Sequence, residues 1–152
     1  MEDSKIIIDT LNDLIEICKD GEFGFRNSAE HARSPELRTL LERRSADCAL
    51  AAEQLAQRVL AASGRPETGG TASGALHRGW VAVRGQLAGY SDLAILESCE
   101  RGEDIALDRY RDALAADLPP ADRDLVALQF EAIKRNHEQI RALRNDERAR
   151  SL

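Results

Sequence analysis

Apolar residues recur three and four positions apart through four long stretches of the chain, the spacing that gathers side chains on one face of an α-helix. The first stripe is Ile8, Leu11, Ile15, Cys18, Glu22, Phe25 and Ala29, and the second is Leu37, Leu41, Arg44, Cys48, Ala51, Leu55 and Ala62. The third is Leu93, Leu96, Glu100, Glu103, Leu107, Tyr110 and Leu114, and the fourth Val126, Phe130, Ile133, His137, Ile140 and Arg144. Breakers and caps bound the helices. The first runs from about Ser4 to Ala32 and stops before Ser34-Pro35, because proline disfavours α geometry in the residue before it. Ser34 as N-cap, Pro35 and Glu36 open the second, which Ser63-Gly64 closes, with glycine suited to the left-handed position past a helix end. Ser91-Asp92 opens a third helix that runs to about Ala116, and Leu118-Pro119-Pro120 separates it from a fourth that frays from about 146 to 152.

The short joins inside each pair make two antiparallel hairpins. Between them lies a turn-rich segment at about 64–90, in which Leu76, Trp80, Val83 and Leu87 keep helical spacing among glycines, so a short connecting helix anchored by Trp80 is expected. The pattern predicts an all-α fold: one four-helix-bundle domain over residues 1–152, with a long crossover containing a short helix between helices 2 and 3.

Composition agrees and removes several functions. Of 152 residues, 43% are apolar, 32% charged and 4% aromatic, which suits a helical core and excludes intrinsic disorder. No apolar run approaches the ~20 residues of a membrane span. The net charge of -6, with no basic face, argues against nucleic acid. Cys18, Cys48 and Cys99 form no CxxC pair, and MEDSKIII has neither the basic region nor the apolar core of a signal peptide, so a cytoplasmic location is expected. Nucleotide-binding loops, a Ser-His-Asp set and zinc-type cysteine clusters are absent from the sequence.

Chemistry enters where ionisable residues fall on the core stripes, because a buried charge is costly unless paired or bound. Glu22 lies ten residues before Ala32 and Arg44 ten after Ser34, so both sit about 15 Å from the turn of the first hairpin. Glu100 and His137 share a level in the second hairpin. If the crossover makes helices 2 and 3 parallel, all four residues fall at one height. Glu103 is a less favoured addition to that centre, Asp47 a polar neighbour of Arg44, and Glu97 and Asp104 flank the face. His31 suits a helix C-terminus, and His77 a packing role beside Trp80.

In LNDLIEICKDGEFGF, GALHRGWVAVRGQL, ESCERGEDIALDRYRDAL with the following LPP, and IKRNHEQIRALR, the chain resembles an uncharacterised bacterial family of ferritin-like four-helix-bundle proteins associated with stress conditions. That resemblance implies a ferritin-like fold and an ancestral iron site, but no activity. The ferritin-type di-iron site takes one Glu from each of two helices and a Glu-x-x-His pair from each of the others. Here Glu22, Glu100 and His137 match, Lys134 stands where the partner of His137 should be Glu, and the second helix offers Arg44 and Asp47. Half the ligand set is missing, which argues against oxidase or ferroxidase activity. Two readings stand: an at most mononuclear site for iron or another divalent ion at Glu22, Glu100 and His137, and a metal-free bundle in which these residues form a salt-bridge network with Arg44. Ile7, Leu14 and Leu40 widen the apolar face of the first hairpin, from which a homodimer through helices 1 and 2 is expected.

Overall fold

The computed structural model describes residues 2–68 and 91–151. They form four helices: α1 (Glu2–His31), α2 (Pro35–Ala61), α3 (Asp92–Ala115) and α4 (Pro120–Ser151). The connecting helix expected around Trp80 lies outside the described residues.

The caps are those the sequence predicts, with one exchange. The Ser34 hydroxyl accepts from the Leu37 N–H at 3.3 Å, and that of Ser91 from the Ala94 N–H at 3.0 Å, so α2 and α3 each begin with an orphan amide satisfied. At the end of α2 the left-handed residue is Ser63, with φ 64°, rather than Gly64. The Ser63 and Gly64 N–H groups donate back to the Leu60 and Val59 carbonyls, both at 2.9 Å, a Schellman closure. Gly64 answers a different demand, because a Cβ there would lie 2.7 Å from Ile8 Cγ1 on α1. α4 stays helical through Ser151, past the point where the sequence suggests fraying. Arg148 on that last stretch reaches Glu97 of α3 at 2.8 Å.

Direction is fixed by contacts at the helix ends. The Asp92 carboxylate accepts the Arg33 and Ser34 N–H groups at 2.8 and 3.0 Å, which places the start of α3 beside the start of α2. At the other end Arg58 of α2 meets Asp122 at the start of α4 at 2.5 Å, and Asp13 near the start of α1 meets Arg109 near the end of α3 at 2.9 Å. Helices α2 and α3 are therefore parallel, and each hairpin is antiparallel. All four helices contribute to one core, in which Leu11, Ile15, Phe25, Leu41, Leu55, Leu96, Tyr110 and Ile140 are almost wholly enclosed. Removing each such side chain from water stabilises the fold by roughly 1.5–3 kcal/mol.

The apolar surplus expected on the first hairpin goes inward. Leu14 is fully buried, and Ile7 and Leu40 pack against the core. A helix that meets two neighbours needs an apolar arc wider than a single seam, and α1 packs against both α2 and α3.

Candidate functional site

The centre of the bundle is organised by Arg44 and Glu103. Arg44 projects from α2 with its guanidinium over the ring of Phe25, 5.5 Å from the centroid, and only 5% of the residue is exposed. One terminal nitrogen donates to Asp47, a turn further along, at 2.8 Å. The other approaches Glu103 of α3 at 3.7 Å, a salt-bridge contact beyond hydrogen-bond length. Glu103 is 3% exposed, and neither of its oxygens has a hydrogen-bond partner. Burial pushes its carboxyl up to about 8; Arg44 pulls the other way, and Asp104 and Glu100 add to the rise. Near neutral pH the centre is a guanidinium facing a mostly protonated acid. The neutral form avoids most of the cost of enclosing an unsatisfied carboxylate.

The remaining candidate residues turn to other partners. Glu22 is about a quarter exposed and pairs with Arg26 on its own helix at 2.8 Å, while its backbone carbonyl accepts from the Ser45 hydroxyl at 2.7 Å. Glu100 binds Arg144 of α4 in a very short contact and Arg141 at 3.4 Å. His137, 7% exposed, places Nε2 2.6 Å from a carboxylate oxygen of the half-exposed Asp104. No hydrogen bond or ion pair joins Glu22, Glu100 and His137 to one another among the described residues. Each turns to a partner of its own: Glu22 to Arg26, Glu100 to Arg141 and Arg144, and His137 to Asp104. Helical spacing selects an arc of roughly 100°, and long side chains at its margins reach the neighbouring helix or solvent instead of the axis.

The ferritin-type plan requires carboxylates and imidazoles that converge on a cation. Among the described residues no group of three or more His, Cys, Asp or Glu side chains is placed to hold a metal ion. The buried cation beside Glu103 is instead the Arg44 guanidinium. The described residues do not fit a di-iron centre.

A second polar chain runs beside the first. The Cys18 thiol and the Tyr110 hydroxyl lie 3.2 Å apart; Tyr110 donates to Gln129 Oε1 at 2.8 Å, and Gln129 Nε2 donates to Gln54 Oε1 at 3.1 Å and to the Ala51 carbonyl at 3.3 Å. This network forms the floor of an open cleft of about 420 Å³ between α2 and α4, which Arg44 also lines. Burial pushes Cys18 up to about 11 and Cys99 up to about 12, and raises Cys48 as well, so none of the three free thiols is a ready nucleophile.

Sequence reasoning ranked Glu103 below Glu100, whereas the structure makes Glu103 the enclosed acid. Both lie on the same stripe, and no sequence signal separates them. Arg144 had a signal, being itself on the fourth stripe, where a cation facing Glu100 was to be sought. Gln129 stands off every stripe and could not have been found.

Among solved structures the chain is similar to a mutant of Dps1 of Mycobacterium smegmatis, with a TM-score of 0.75 at 14% identity, covering 94% of this chain and 97% of that one. It is similar to the DPS protein of Vibrio cholerae O1, described as a member of a broad superfamily of ferritin-like diiron-carboxylate proteins (TM-score 0.75, 17% identity, 93% and 91% covered). A dodecameric thioferritin of Bacteroides fragilis, a bacterioferritin-related protein, matches at a TM-score of 0.73 and 16% identity, with 97% and 89% covered. These likenesses show the ferritin-like fold. No curated protein matches the sequence. The profile of one family, described as a domain of unknown function, DUF2383, matches residues 6–116, and the chain belongs to that family.

Proposed function

We propose that this chain is a metal-free ferritin-like bundle that acts through association rather than iron chemistry. The observation that carries the reading is the buried Arg44 guanidinium, 3.7 Å from Glu103 and 2.8 Å from Asp47, on the helix where the ferritin-type pattern would supply a Glu-x-x-His pair. A guanidinium fixed there supplies positive charge without an ion and repels one that enters.

Association has its own support. The large apolar side chains left exposed include Ile6 and Phe23 on α1 and Leu60 on α2, all on the first hairpin. They replace Ile7, Leu14 and Leu40 as the basis for a homodimer through α1 and α2, and the Bacteroides fragilis relative in fold is itself dodecameric. Among the described residues no helix is long and apolar enough to cross a membrane, and three free thiols fit the reducing cytoplasm.

The test is elemental analysis of untagged protein purified without chelator, before and after anaerobic Fe(II) loading, with light scattering on the same samples. Fewer than about 0.1 iron per chain and a particle of twice the 16.8 kDa chain mass are expected. One tightly held iron per chain, lost in Glu100→Ala or His137→Ala, would overturn the metal-free reading in favour of a mononuclear site. A species that stays monomeric at high concentration would overturn the association.

A further inference from the structure

We propose that the cleft between α2 and α4 binds a medium-chain monocarboxylate, with its head group at Arg44 and Arg135 and its chain between Leu50 and Leu128. The proposal goes beyond the reading above and needs neither a metal nor a dimer.

The cleft exists because α2 and α4 are the most loosely packed of the neighbouring helix pairs. They are clamped at one end by Arg58 and Asp122 and bridged further along by Gln129. At about 420 Å³ it falls within the ~300–1,000 Å³ usual for small-molecule sites. Along α2 its lining runs from Arg44 to Gln54, ten residues or about 15 Å. An extended chain of about ten carbons, at ~1.3 Å per bond, spans about 12 Å of that length.

The two ends of this channel differ in chemistry. Toward Gln54 the walls are Leu50, Ala51, Leu128 and Ala132, with Leu50 55% and Leu128 67% exposed, so two large apolar side chains flank the opening while still in contact with water. The polar atoms of the floor have partners already: Tyr110 serves Cys18 and Gln129, and the Gln129 amide serves Gln54 and the Ala51 carbonyl. A hydrocarbon chain laid against them strands no hydrogen-bonding group.

Toward Arg44 the balance is reversed. Arg44 and Arg135 both line this end, against the single carboxylate of Asp47. Arg135 is exposed and makes no ion pair or hydrogen bond among the described residues, and the enclosed Nε of Arg44 has no partner. Glu103, on the inner side, approaches Arg44 no closer than 3.7 Å and accepts no hydrogen bond. With Glu103 held mostly protonated near neutral pH by its burial, Arg44 and Arg135 outweigh Asp47 by one positive charge beside an apolar channel. A monoanion balances it, and a carboxylate matches the planar donor fork of a guanidinium. A doubly charged phosphate would overcompensate against Asp47. The described chain that follows α2 leaves the channel free, since Gly64 closes on Ile8 and Asn12 of α1 bonds the Arg65 carbonyl at 3.1 Å and the Glu67 N–H at 2.8 Å.

Calorimetric titration of the full chain with decanoate, below its micelle concentration, tests this against decanol, which has the chain without the charge, and acetate, which has the charge without the chain. One site per chain is expected for decanoate, with both controls at least tenfold weaker. Arg135→Glu, at an exposed position, should weaken binding at least tenfold, and Ala132→Trp should abolish it by filling the channel, with both variants keeping the parent's melting temperature within a few degrees. Equal affinity for decanol or acetate, several sites per chain, or binding that both variants leave within twofold would each overturn the proposal. Failure here leaves the metal-free reading standing, because iron content is measured without the ligand.

Discussion

Replacing Glu103 by Gln should make the protein more stable at high pH while leaving it nearly unchanged at low pH. The wild-type carboxyl is 3% exposed, has no hydrogen-bond partner on either oxygen, and is raised from 4.5 to about 8. Between those two values the folded chain holds more protons than the unfolded chain, so its stability must fall as pH rises. At about 1.4 kcal/mol per pH unit across that interval, the fall approaches about 5 kcal/mol for this one group, a large part of the ~5–15 kcal/mol that holds a typical domain together. About two thirds of it is already present at pH 7. Gln keeps the shape and cannot ionise. The variant's advantage over the parent should therefore grow from about 1 kcal/mol or less at pH 5 to about 3–5 kcal/mol at pH 9, with most of the growth below pH 8. Urea unfolding followed by circular dichroism, with both proteins at five pH values, measures that difference and cancels every group they share. A difference that stays within about 1 kcal/mol from pH 5 to pH 9 would refute the assignment of Glu103 as an unsatisfied acid. A variant less stable than the parent at pH 9 would show instead that the ionised carboxylate gains more from Arg44 than it loses by burial.

Other expectations follow from the same contacts. Arg44→Met should cost about 3–5 kcal/mol at pH 9, where Glu103 is charged and left alone, and clearly less at pH 5, while the double variant Arg44→Met with Glu103→Leu should recover most of the loss; urea melts at both pH values check this. Tyr110→Phe removes the donor to Gln129 Oε1 and should cost about 1–3 kcal/mol in the same assay, leaving the helical signal unchanged. Ser63→Gly should stabilise by about 0.5–1 kcal/mol, because Ser63 holds φ 64°, whereas Gly64→Ala should destabilise, since its Cβ would lie 2.7 Å from Ile8; thermal melts of the two variants should move in opposite directions.

How far the sequence carries depends on the distance over which each feature is decided. Caps and breakers act within a turn, so Ser34, Pro35 and Ser91 could be read directly, and the spacing of the stripes then fixed four helices. The parallel run of α2 and α3 was also legible, through an argument about burial: charged residues on apolar stripes need one another, and one topology brings them to a common height. The height argument has a built-in limit. It fixes position along the axis, while the direction a side chain takes around the axis depends on which neighbour lies closest, and that is decided by packing between helices far apart in sequence. Glu100 found Arg144 across α4, 44 positions away, His137 found Asp104 33 positions away, and Glu22 turned to Arg26 on its own surface. Glu103, equal to Glu100 on the stripe, stayed inside because Arg44 faces it. Among the described residues the cation beside Glu103 is the Arg44 side chain, which, unlike an ion, cannot leave. Among the described residues Arg44 lines the open α2/α4 cleft, and an anion from outside can meet its charge there.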